Sequence, residues 1–415
     1  MEVYWVWLCE LEGLTPKGML RVLSAFGSPE AAFHATEREL DSRKGLKDED
    51  RKALRCRDLT AAQKIVEDCY ERNISILTME DHRYPDLLRQ IPDPPPVLYY
   101  VGRLPDFDHE LTIAIVGHRK ASAQGMEIAC KLGYELSRAG VIVISGCAAG
   151  VDAAAMQGAL RGGSSVVGIL GGGVDVVYPK ENRRLLEDVQ DYGCLISEYP
   201  PGTKPLGWHF PIRNRIISGL SRGVIVAEAP KQSGSLITAR LAIEQGRDVF
   251  AVPGAAGGRL CAGSNDLLRQ GAALAENGSD VVDGYAYLFP ERVRPLTEED
   301  RASYEAIAAE LRDNSPEILV ASPVKTPRSG GKIDIDNGKT PTYIDVQEAA
   351  AGLPPDEAAV LGTLSEGRLQ TDEIIRRSGM TASAVLGILT MLEVRGLIRS
   401  LPGGIYSLRE ASGNP

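Results

Sequence analysis

The sequence predicts an α/β protein, in which a Rossmann-like doubly wound parallel sheet follows an N-terminal helical domain and precedes a C-terminal winged helix. Three observations support this prediction. Short Val- and Ile-rich runs alternate with helix-like segments through the middle of the chain, apolar residues recur at helical spacing before it, and three helix-like segments and a hairpin-like segment follow it. Continuous apolar strands separated by crossover helices are typical of a parallel sheet with helices on both faces.

The first 85 residues are predicted to form the helical domain, a series of short helices. Thr15-Pro16 and Gly27-Ser28-Pro29 are typical of helix starts and ends. A proline-rich link with the sequence IPDPPPVLYYVGRLPDF follows. Because proline lacks the amide hydrogen that helices and inner strands need, this link is expected to form neither a continuous helix nor a central strand.

Residues 86–290 are predicted to form the Rossmann-like domain. Its expected strands are, in chain order, LTIAIVG, VIVISG, SSVVGILG, CLISEY, GVIVAEA and DVFAVPG. Right-handed crossovers between such strands produce a doubly wound sheet.

Residues 291–354 are predicted to be a flexible linker, because the stretch SPVKTPRSGGKIDIDNGKTPTYID is polar and rich in proline and glycine. Residues 355–411 are predicted to form the winged helix, with a hairpin whose tip is Pro-Gly-Gly at 402–404. Its recognition segment offers only Arg395, preceded by Arg376 and Arg377. Binding in a duplex major groove normally requires more phosphate contacts, so a protein-contact or weak DNA role is favoured.

Composition and charge exclude several classes of protein. The chain has 415 residues and a net charge of −10, which argues against general adhesion to nucleic acid, but residues 110–285 carry 17 Lys/Arg and 17 Asp/Glu and could include a local basic groove. Seven scattered cysteines and five histidines show no ligand spacing, which argues against a disulfide framework or a metal site and favours a reducing cytosol. The absence of an apolar run of about 18 residues and the acidic N-terminus predict no membrane span and no signal peptide.

The predicted binding site lies beyond the carboxyl ends of the strands, where open parallel sheets bind their ligands. Glycines there let the backbone approach an anion, and helix N-termini offer unpaired N–H groups. The sequence therefore predicts an anion site at this edge. The candidate residues are Gly117, His118, Arg119, Ser145, Gly146, Gly150, Lys180, Arg213, Asn214, Arg215, Ser233, Gly234 and Ser235.

Two of these candidates, Arg213 and Arg215, lie at a predicted helix start, where cations are unfavourable for the helix dipole. A chain that accepts this cost is expected to use the charges on a ligand, and the planar fork of arginine suits phosphate oxygens. Asp152, at another helix start, is expected to cap its own helix.

Several side chains at this edge allow two interpretations. His118 could transfer protons, although a structural or anion-contacting role is favoured. Trp208 and Phe210 could stack on bases, although packing in the core is favoured. Glu198 and Glu228 could act as an acid–base pair, but pairing with the arginines is favoured. The chain contains neither G-x-G-x-x-G nor G-x-x-x-x-G-K-[ST], which argues against a dinucleotide fold and a Walker-type triphosphatase.

The order and spacing of the motifs resemble those of the DNA-processing protein A (DprA, also called Smf) family. The resemblance runs from about Asp81 to Asp283. It extends more weakly to the N-terminal helices of residues 1–85, which resemble the family's SAM-like or helix-hairpin-helix-like module, and to the C-terminal winged helix. The motifs that carry it are VGHR, SGCAAGVDAAAMQGAL, GILGGGVDVVYPKEN, LISEYPPGTKP, FPIRNRIISGLS, SGSLITA, DVFAVPG and GSNDLLRQGA.

The resemblance implies a cytoplasmic bacterial protein that binds single-stranded DNA. Members dimerise through the Rossmann-like domain, load RecA onto the strand, help to displace single-strand-binding protein and serve natural transformation. They are not known for a catalytic step, and no cofactor or metal is expected. Arg119 and Lys180 match the family's DNA-contacting Arg and Lys, Arg213 and Arg215 match its R-N-R motif, and residues 233–235 match its Ser-Gly-Ser loop.

The chain departs from the family pattern at two positions. His118 stands where the family usually has Ser or Thr, so imidazole replaces a hydroxyl contact to phosphate. Met156 stands where it usually has His, which puts any role of that polar group in doubt.

Two other functions compete with strand binding. The same fold resembles nucleotide phosphoribohydrolases of the LOG group, whose P-G-G-x-G-T-x-x-E loop supplies a catalytic Glu; the corresponding KQSGSLITARL has no Glu where one is needed, which disfavours hydrolysis. A nucleotide-sensing core flanked by docking modules would bind mononucleotides as tightly as oligonucleotides.

Overall fold

The predicted strands assemble into one sheet in the computed structural model, which describes residues 2–313, 353–364, 369–394, 397–401 and 405–408. The α/β fold class is confirmed. The chain divides into two units, Met1–Lys325 and Thr326–Pro415. Within the described residues, no helix is long and apolar enough to cross a membrane.

The sheet of the first unit has nine strands in the order β1-β2-β6-β5-β4-β3-β7-β8-β9. Strands β3 to β9 run parallel, and β1 and β2 are antiparallel to their neighbours. Because the chain moves from β3 to β6 on one side and then returns to place β7 on the other, the direction of winding switches between β3 and β7. The strands are β1 (Ser75–Thr78), β2 (Val97–Gly102), β3 (Thr112–Val116), β4 (Ile142–Ser145), β5 (Val166–Ile169), β6 (Cys194–Ser197), β7 (Gly223–Val226), β8 (Asp248–Ala251) and β9 (Ala273–Leu274).

Helices precede the sheet and cover both of its faces. One large core lies between one face of the sheet and the helices that follow β3, β4 and β5. A second core lies between the opposite face and the helices that follow β6 and β7. The helices are α1 (Glu2–Glu10), α2 (Pro16–Phe26), α3 (Pro29–His34), α4 (Glu37–Ser42), α5 (Asp48–Leu54), α6 (Thr60–Glu71), α7 (Asp86–Arg89), α8 (Ala123–Arg138), α9 (Val151–Gly162), α10 (Arg183–Tyr192), α11 (His209–Gly219), α12 (Ser235–Glu244), α13 (Ala262–Arg269), α14 (Ser279–Val282) and α15 (Glu298–Asp313).

The proline-rich link contains an inner strand, so the expectation that it could not was wrong. Strand β2 pairs with β1 on one side and β6 on the other, with Tyr99 opposite Ile76 and Ser197. Four prolines of the link end at Pro96, one residue before the strand begins, and the fifth, Pro105, lies three residues after the strand ends. Every residue of VLYYVG can therefore donate its amide hydrogen, and the prolines constrain only the chain before and after the strand.

The N-terminal helices share a core with this edge of the sheet. Trp7, Leu40 and Leu54 are buried in one cluster with Ile76 and Tyr99 of strands β1 and β2. The burial of each such large apolar side chain stabilises the folded state by roughly 1.5–3 kcal/mol. The helical segment is thus packed directly against the sheet.

Helix α15 lies within the range predicted to be a linker. Its Tyr304 is buried with its ring 5.6 Å from that of Tyr134. Its Asp300 accepts hydrogen bonds from Arg294 and Arg138 at 2.7–2.8 Å, and these bonds hold the pKa of the Asp300 carboxyl well below its usual range. Residues 314–352 of the predicted linker lie outside the described residues, and the predicted domain bounds stay predictions.

Helices α8 and α9 approach so closely that their backbones touch at two glycines. A Cβ added at Gly158 would lie 1.9 Å from the carbonyl oxygen of Cys130, and one added at Gly133 would lie 2.0 Å from that of Ala155. Each glycine therefore faces the backbone of the opposite helix. This contact fixes the helices that follow β3 and β4.

We expect Gly158→Ala to destabilise the first unit by about 1–3 kcal/mol, because the methyl group forces the two backbones apart. The measurement is the denaturant midpoint of unfolding. Gly387→Ala is the contrasting control, because nothing lies within 4 Å of the added Cβ. That substitution should stabilise its own helix by roughly 0.5–1 kcal/mol. A Gly158→Ala protein as stable as the wild type would contradict the close contact.

The second unit has the helices and the sheet of the predicted winged helix. Its three-stranded antiparallel sheet has the order β10-β12-β11, and Leu361, Ile374, Leu389 and Ile398 are buried in its core. The hairpin tip at 402–404, Arg395 and residues 409–411 lie outside the described residues. The elements are α16 (Pro355–Thr363), β10 (Leu369–Gln370), α17 (Thr371–Ser378), α18 (Ala382–Val394), β11 (Ile398–Leu401) and β12 (Ile405–Leu408).

Candidate nucleic-acid interface

The loops that follow strands β3 to β7 meet at one edge of the sheet, because the carboxyl ends of parallel strands point the same way. All the predicted site residues lie on these loops, at the strand ends or in the helices that follow, and residues 213–215 lie in the middle of the helix after β6. The structure therefore brings the predicted residues to one edge. Their burial divides them into exposed groups and groups that hold the edge together.

The loop after β3 presents an exposed cation. The backbone N–H of His118 donates to Glu228 O at 2.7 Å, and its carbonyl accepts from Val151 N at 3.3 Å. A Cβ at Gly117 would lie 2.5 Å from the Val151 side chain, so only glycine fits there. These contacts fix the path of the loop, and Arg119 at its end is exposed to solvent.

The loop after β4 is built into the interior. Ser145 is fully buried, and its hydroxyl donates to Ile115 O at 2.7 Å. The backbone N–H of Gly146 donates to Asp152 at 3.2 Å. Gly150 has a φ of +81°, and a Cβ there would lie 2.4 Å from His118 O. Ser145, Gly146 and Gly150 therefore shape the loop.

Asp152 binds the loop before its helix instead of capping its own helix. Its carboxylate accepts from Gly146 N and from Ala148 N at 3.4 Å, and Gly150 occupies the N-cap position. Burial raises the pKa of Asp152, against the opposing attraction of the Arg213 guanidinium. The residue thus stabilises the turn between β4 and α9.

The loop after β5 presents the second exposed cation. Lys180 begins a single 3-10 turn, Lys180–Asn182, and is exposed. The side-chain amide of Asn182 donates to Cys147 O at 3.0 Å, which ties this turn to the loop after β4. Tyr178, two residues before the lysine, is also exposed.

Arg213 is enclosed by the protein. Its side chain is only 3% exposed, and its guanidinium donates to Gly146 O at 2.8 Å and to Ile169 O. Burial lowers its pKa, against the opposing attraction of Asp152. Arg213 therefore joins the carboxyl ends of β4 and β5 to helix α11.

Arg215 is also enclosed, and carboxylates surround it. It is 4% exposed and makes two hydrogen bonds to Glu198, at 2.5 and 2.9 Å, while its Nε lies 3.0 Å from the Asp93 carboxylate. Burial is the largest single influence and would lower the pKa of Arg215, but the attraction and hydrogen bonds of Glu198, together with the attraction of Asp93, raise it. Through Glu198 and Asp93, Arg215 links α11 to the end of β6 and to the proline-rich link.

The two glutamates at the edge are hydrogen-bonded in different ways. Glu198 binds Arg215, as favoured from the sequence. Glu228 is 4% exposed and accepts from the Ser122 backbone N–H at 2.8 Å and from its hydroxyl at 2.5 Å. Glu198 is therefore held in an ion pair, whereas Glu228 is held by Ser122, the residue just before α8.

The Ser-Gly-Ser loop after β7 closes the edge. The hydroxyls of Ser233 and Ser235 lie 2.7 Å apart, and Ser235 is buried. Gly234 is exposed, with nothing within 4 Å of an added Cβ. The Asn214 side chain donates to its carbonyl at 3.4 Å. The loop therefore presents its backbone at Gly234.

Aromatic side chains lie among the exposed cations. The Arg119 guanidinium lies 4.7 Å from the Phe210 ring centroid, and the Tyr178 ring lies 5.5 Å from the same ring. Phe210 is half-buried, whereas Trp208 is 60% exposed, so the favoured interpretation that Trp208 packs in the core was wrong. The signal was available in the sequence, since Trp208 follows Gly207 in a loop rather than an apolar run.

A separate cavity of about 600 Å³ opens on the α8 side of the sheet. Four carboxylates and two cations line it, which makes it unfavourable for a polyanion. These residues are Glu127, Glu228, Glu276, Glu305, Lys131 and Arg259. In the described part of the chain, no group of three or more His, Cys, Asp or Glu residues could hold a metal ion.

Comparison with known proteins gives two family matches. The model of DNA recombination-mediator protein A matches residues 75–286, and that of the DprA winged helix domain matches residues 346–404. Protein Smf of Synechocystis sp. is 32% identical over 98% of this chain and 99% of its own length. The DNA processing protein DprA of Bacillus subtilis is 40% identical over 55% of this chain and 75% of its own.

A solved structure is also similar. The X-ray structure of DNA processing protein A from Streptococcus pneumoniae superimposes with a TM-score of 0.57 at 35% identity. The match covers 68% of this chain and 98% of that one.

Proposed function

Since the chain belongs to the DprA/Smf family of DNA recombination-mediator proteins, we propose that it binds single-stranded DNA along the carboxyl edge of its sheet. In this proposal it acts in the bacterial cytoplasm, without a catalytic step, and as a homodimer through the Rossmann-like domain. It loads RecA onto the bound strand, helps to displace single-strand-binding protein and serves recombination in natural transformation.

The observation that supports this most strongly is the pair of exposed cations on neighbouring loops. Arg119 and Lys180 are exposed at the edge, on loops that backbone hydrogen bonds and glycine contacts hold in place. Cations that are held in position bind phosphates with a smaller entropic cost than mobile ones. We assign direct phosphate contact to these two residues.

The other predicted residues take supporting roles in the proposal. Arg213 and Arg215 position the loops, since each is enclosed by partners within the protein. Gly117, His118, Ser145, Gly146 and Gly150 set the backbone path. Asn214 and the Ser233–Ser235 loop offer a polar rim at Gly234.

The salt dependence of binding tests this function. We expect labelled oligo-dT to bind with an affinity that falls with salt, because each phosphate contact releases counterions. For two contacts on a single strand the slope of log K against log[salt] should be about −1.4 or steeper. Fluorescence anisotropy at several salt concentrations measures it.

Two controls separate the competing functions. A mononucleotide should bind far more weakly than the oligonucleotide, since it offers one phosphate. Equal affinities, or an affinity for oligo-dT that salt does not change, would overturn the proposal. Release of ribose 5-phosphate from AMP would revive the enzyme hypothesis.

A further inference from the structure

Exposed apolar side chains are concentrated around the start of helix α11. Trp208 is 60% exposed, Leu206 46%, and Tyr178 and Ile212 42% each. The other two tryptophans, Trp5 and Trp7, are buried in the N-terminal core. A large aromatic side chain left in water beside charged groups is typical of a binding surface.

The surroundings of Trp208 fix its position. The neighbouring His209 is buried, its Nδ1 lies 2.8 Å from Gly171 O, and its ring stacks on Tyr199 at 4.0 Å. The Trp208 ring meets His209 edge to face, with centroids 4.1 Å apart and planes at 81°. Trp208 is therefore held at its base by a rigid neighbour while most of its ring surface faces solvent.

The charges near this surface point to its occupant. Phe210 connects the aromatic residues to the cations, since both the Tyr178 ring and the Arg119 guanidinium pack on it. Lys180 follows Tyr178 by two residues. Apolar rings flanked by exposed cations complement a strand that carries phosphates on one side and unpaired bases on the other.

We propose that Trp208 and Tyr178 form a stacking platform for unpaired bases of the strand whose phosphates contact Arg119 and Lys180. The inference rests on the proposed function and deepens it. In a duplex the base faces are covered by their neighbours, so a stacking platform accepts bases only from a single strand. Phosphate contacts alone would not make this distinction, and the platform therefore supplies the preference for single strands.

The test compares an oligo-dT with an abasic oligonucleotide of equal length, titrated against the full-length protein. Stacking is worth about tenfold in affinity per base on an aromatic side chain. We expect Trp208→Ala to bind oligo-dT roughly tenfold more weakly and the abasic strand unchanged. Trp208→Phe should retain most of the affinity, because it retains a ring.

Intrinsic fluorescence gives an independent readout, since Trp208 is the exposed tryptophan. Oligo-dT should quench the tryptophan fluorescence of the wild type, and the abasic strand should quench it much less. Tyr192→Ala is the matched control, because Tyr192 is an exposed aromatic residue at the end of α10. That variant should bind both strands as the wild type does.

The outcomes separate this inference from the proposed function. If the wild type binds oligo-dT and the abasic strand equally, or Trp208→Ala weakens both alike, the platform is refuted while strand binding stands. An unchanged affinity of Trp208→Ala for oligo-dT would likewise refute it and leave the surface to a protein partner. If the wild type binds neither strand, the proposed function itself is refuted.

Discussion

Replacing Arg119 and Lys180 together by alanine is expected to lower the affinity for oligo-dT by roughly 100-fold at low salt. Hydrogen bonds to charged groups contribute roughly 1.5–3 kcal/mol each, so losing two costs about 3 kcal/mol. The slope of log K against log[salt] should also become shallower by about 1.4, because two counterion-releasing contacts disappear. Fluorescence anisotropy at two salt concentrations measures both quantities.

The fold should survive this double substitution, since both side chains are exposed. The matched control is Lys17→Ala with Lys44→Ala, which removes the same charge from exposed positions in the N-terminal helical segment. The control should bind as the wild type does. If the control lost as much affinity as the test variant, binding would depend on overall charge and not on this edge. Unchanged binding in the test variant would place the strand elsewhere.

Six of the seven parallel strands were predictable because each lies in a short apolar run, and β3 to β7 are buried along their whole length. Strand β9 was missed because it has only two residues. All six predicted runs contain a strand of the sheet. Strand β2 was missed because proline was taken to exclude a strand, although VLYYVG itself contains none. Helix α15 was missed because the polar stretch after it dominated the interpretation of 291–354.

The sequence was enough to predict that the candidate residues meet at one edge of the sheet, but not which of their side chains face solvent. Spacing along the chain places Arg119 and Arg213 at the same sheet edge. It does not show that one guanidinium faces solvent and the other is 97% enclosed, because enclosure depends on the loops after β4 and β5, which come from distant parts of the sequence. The Asp93 and Glu198 partners of Arg215 are 122 and 17 residues away along the chain.

The two arginines that the sequence placed at a helix start lie in the middle of α11, which begins four residues before Arg213. The helix dipole acts mainly within the first turn, so it costs little at these positions. The ends of strands β4 and β5 present their carbonyl oxygens to Arg213, and Glu198 presents a carboxylate to Arg215. Such partners compensate for the burial of the two charges. A ligand is not needed to explain either side chain.

Arg215→Met should therefore destabilise the first unit by about 3 kcal/mol, because it leaves the Glu198 carboxylate without its cation in a largely enclosed place. The estimate is at the low end for such pairs, since Glu198 is 22% exposed and retains some contact with water. Adding Glu198→Gln to the variant should restore part of the loss, because the remaining group is then neutral. The measurements are the denaturant midpoint and the oligo-dT affinity of the folded protein.

The two measurements decide between the positioning role and the ligand-contacting role that the sequence predicts. If Arg215 positions the loops, stability falls, Glu198→Gln rescues part of it, and affinity follows the folded fraction. If Arg215 contacts phosphate, stability stays within about 0.5 kcal/mol of the wild type, the range of ordinary surface substitutions. Affinity would then fall with a shallower salt slope, and no substitution at Glu198 would restore it. Only the first pattern is compatible with a guanidinium that is 4% exposed and has carboxylates on two sides.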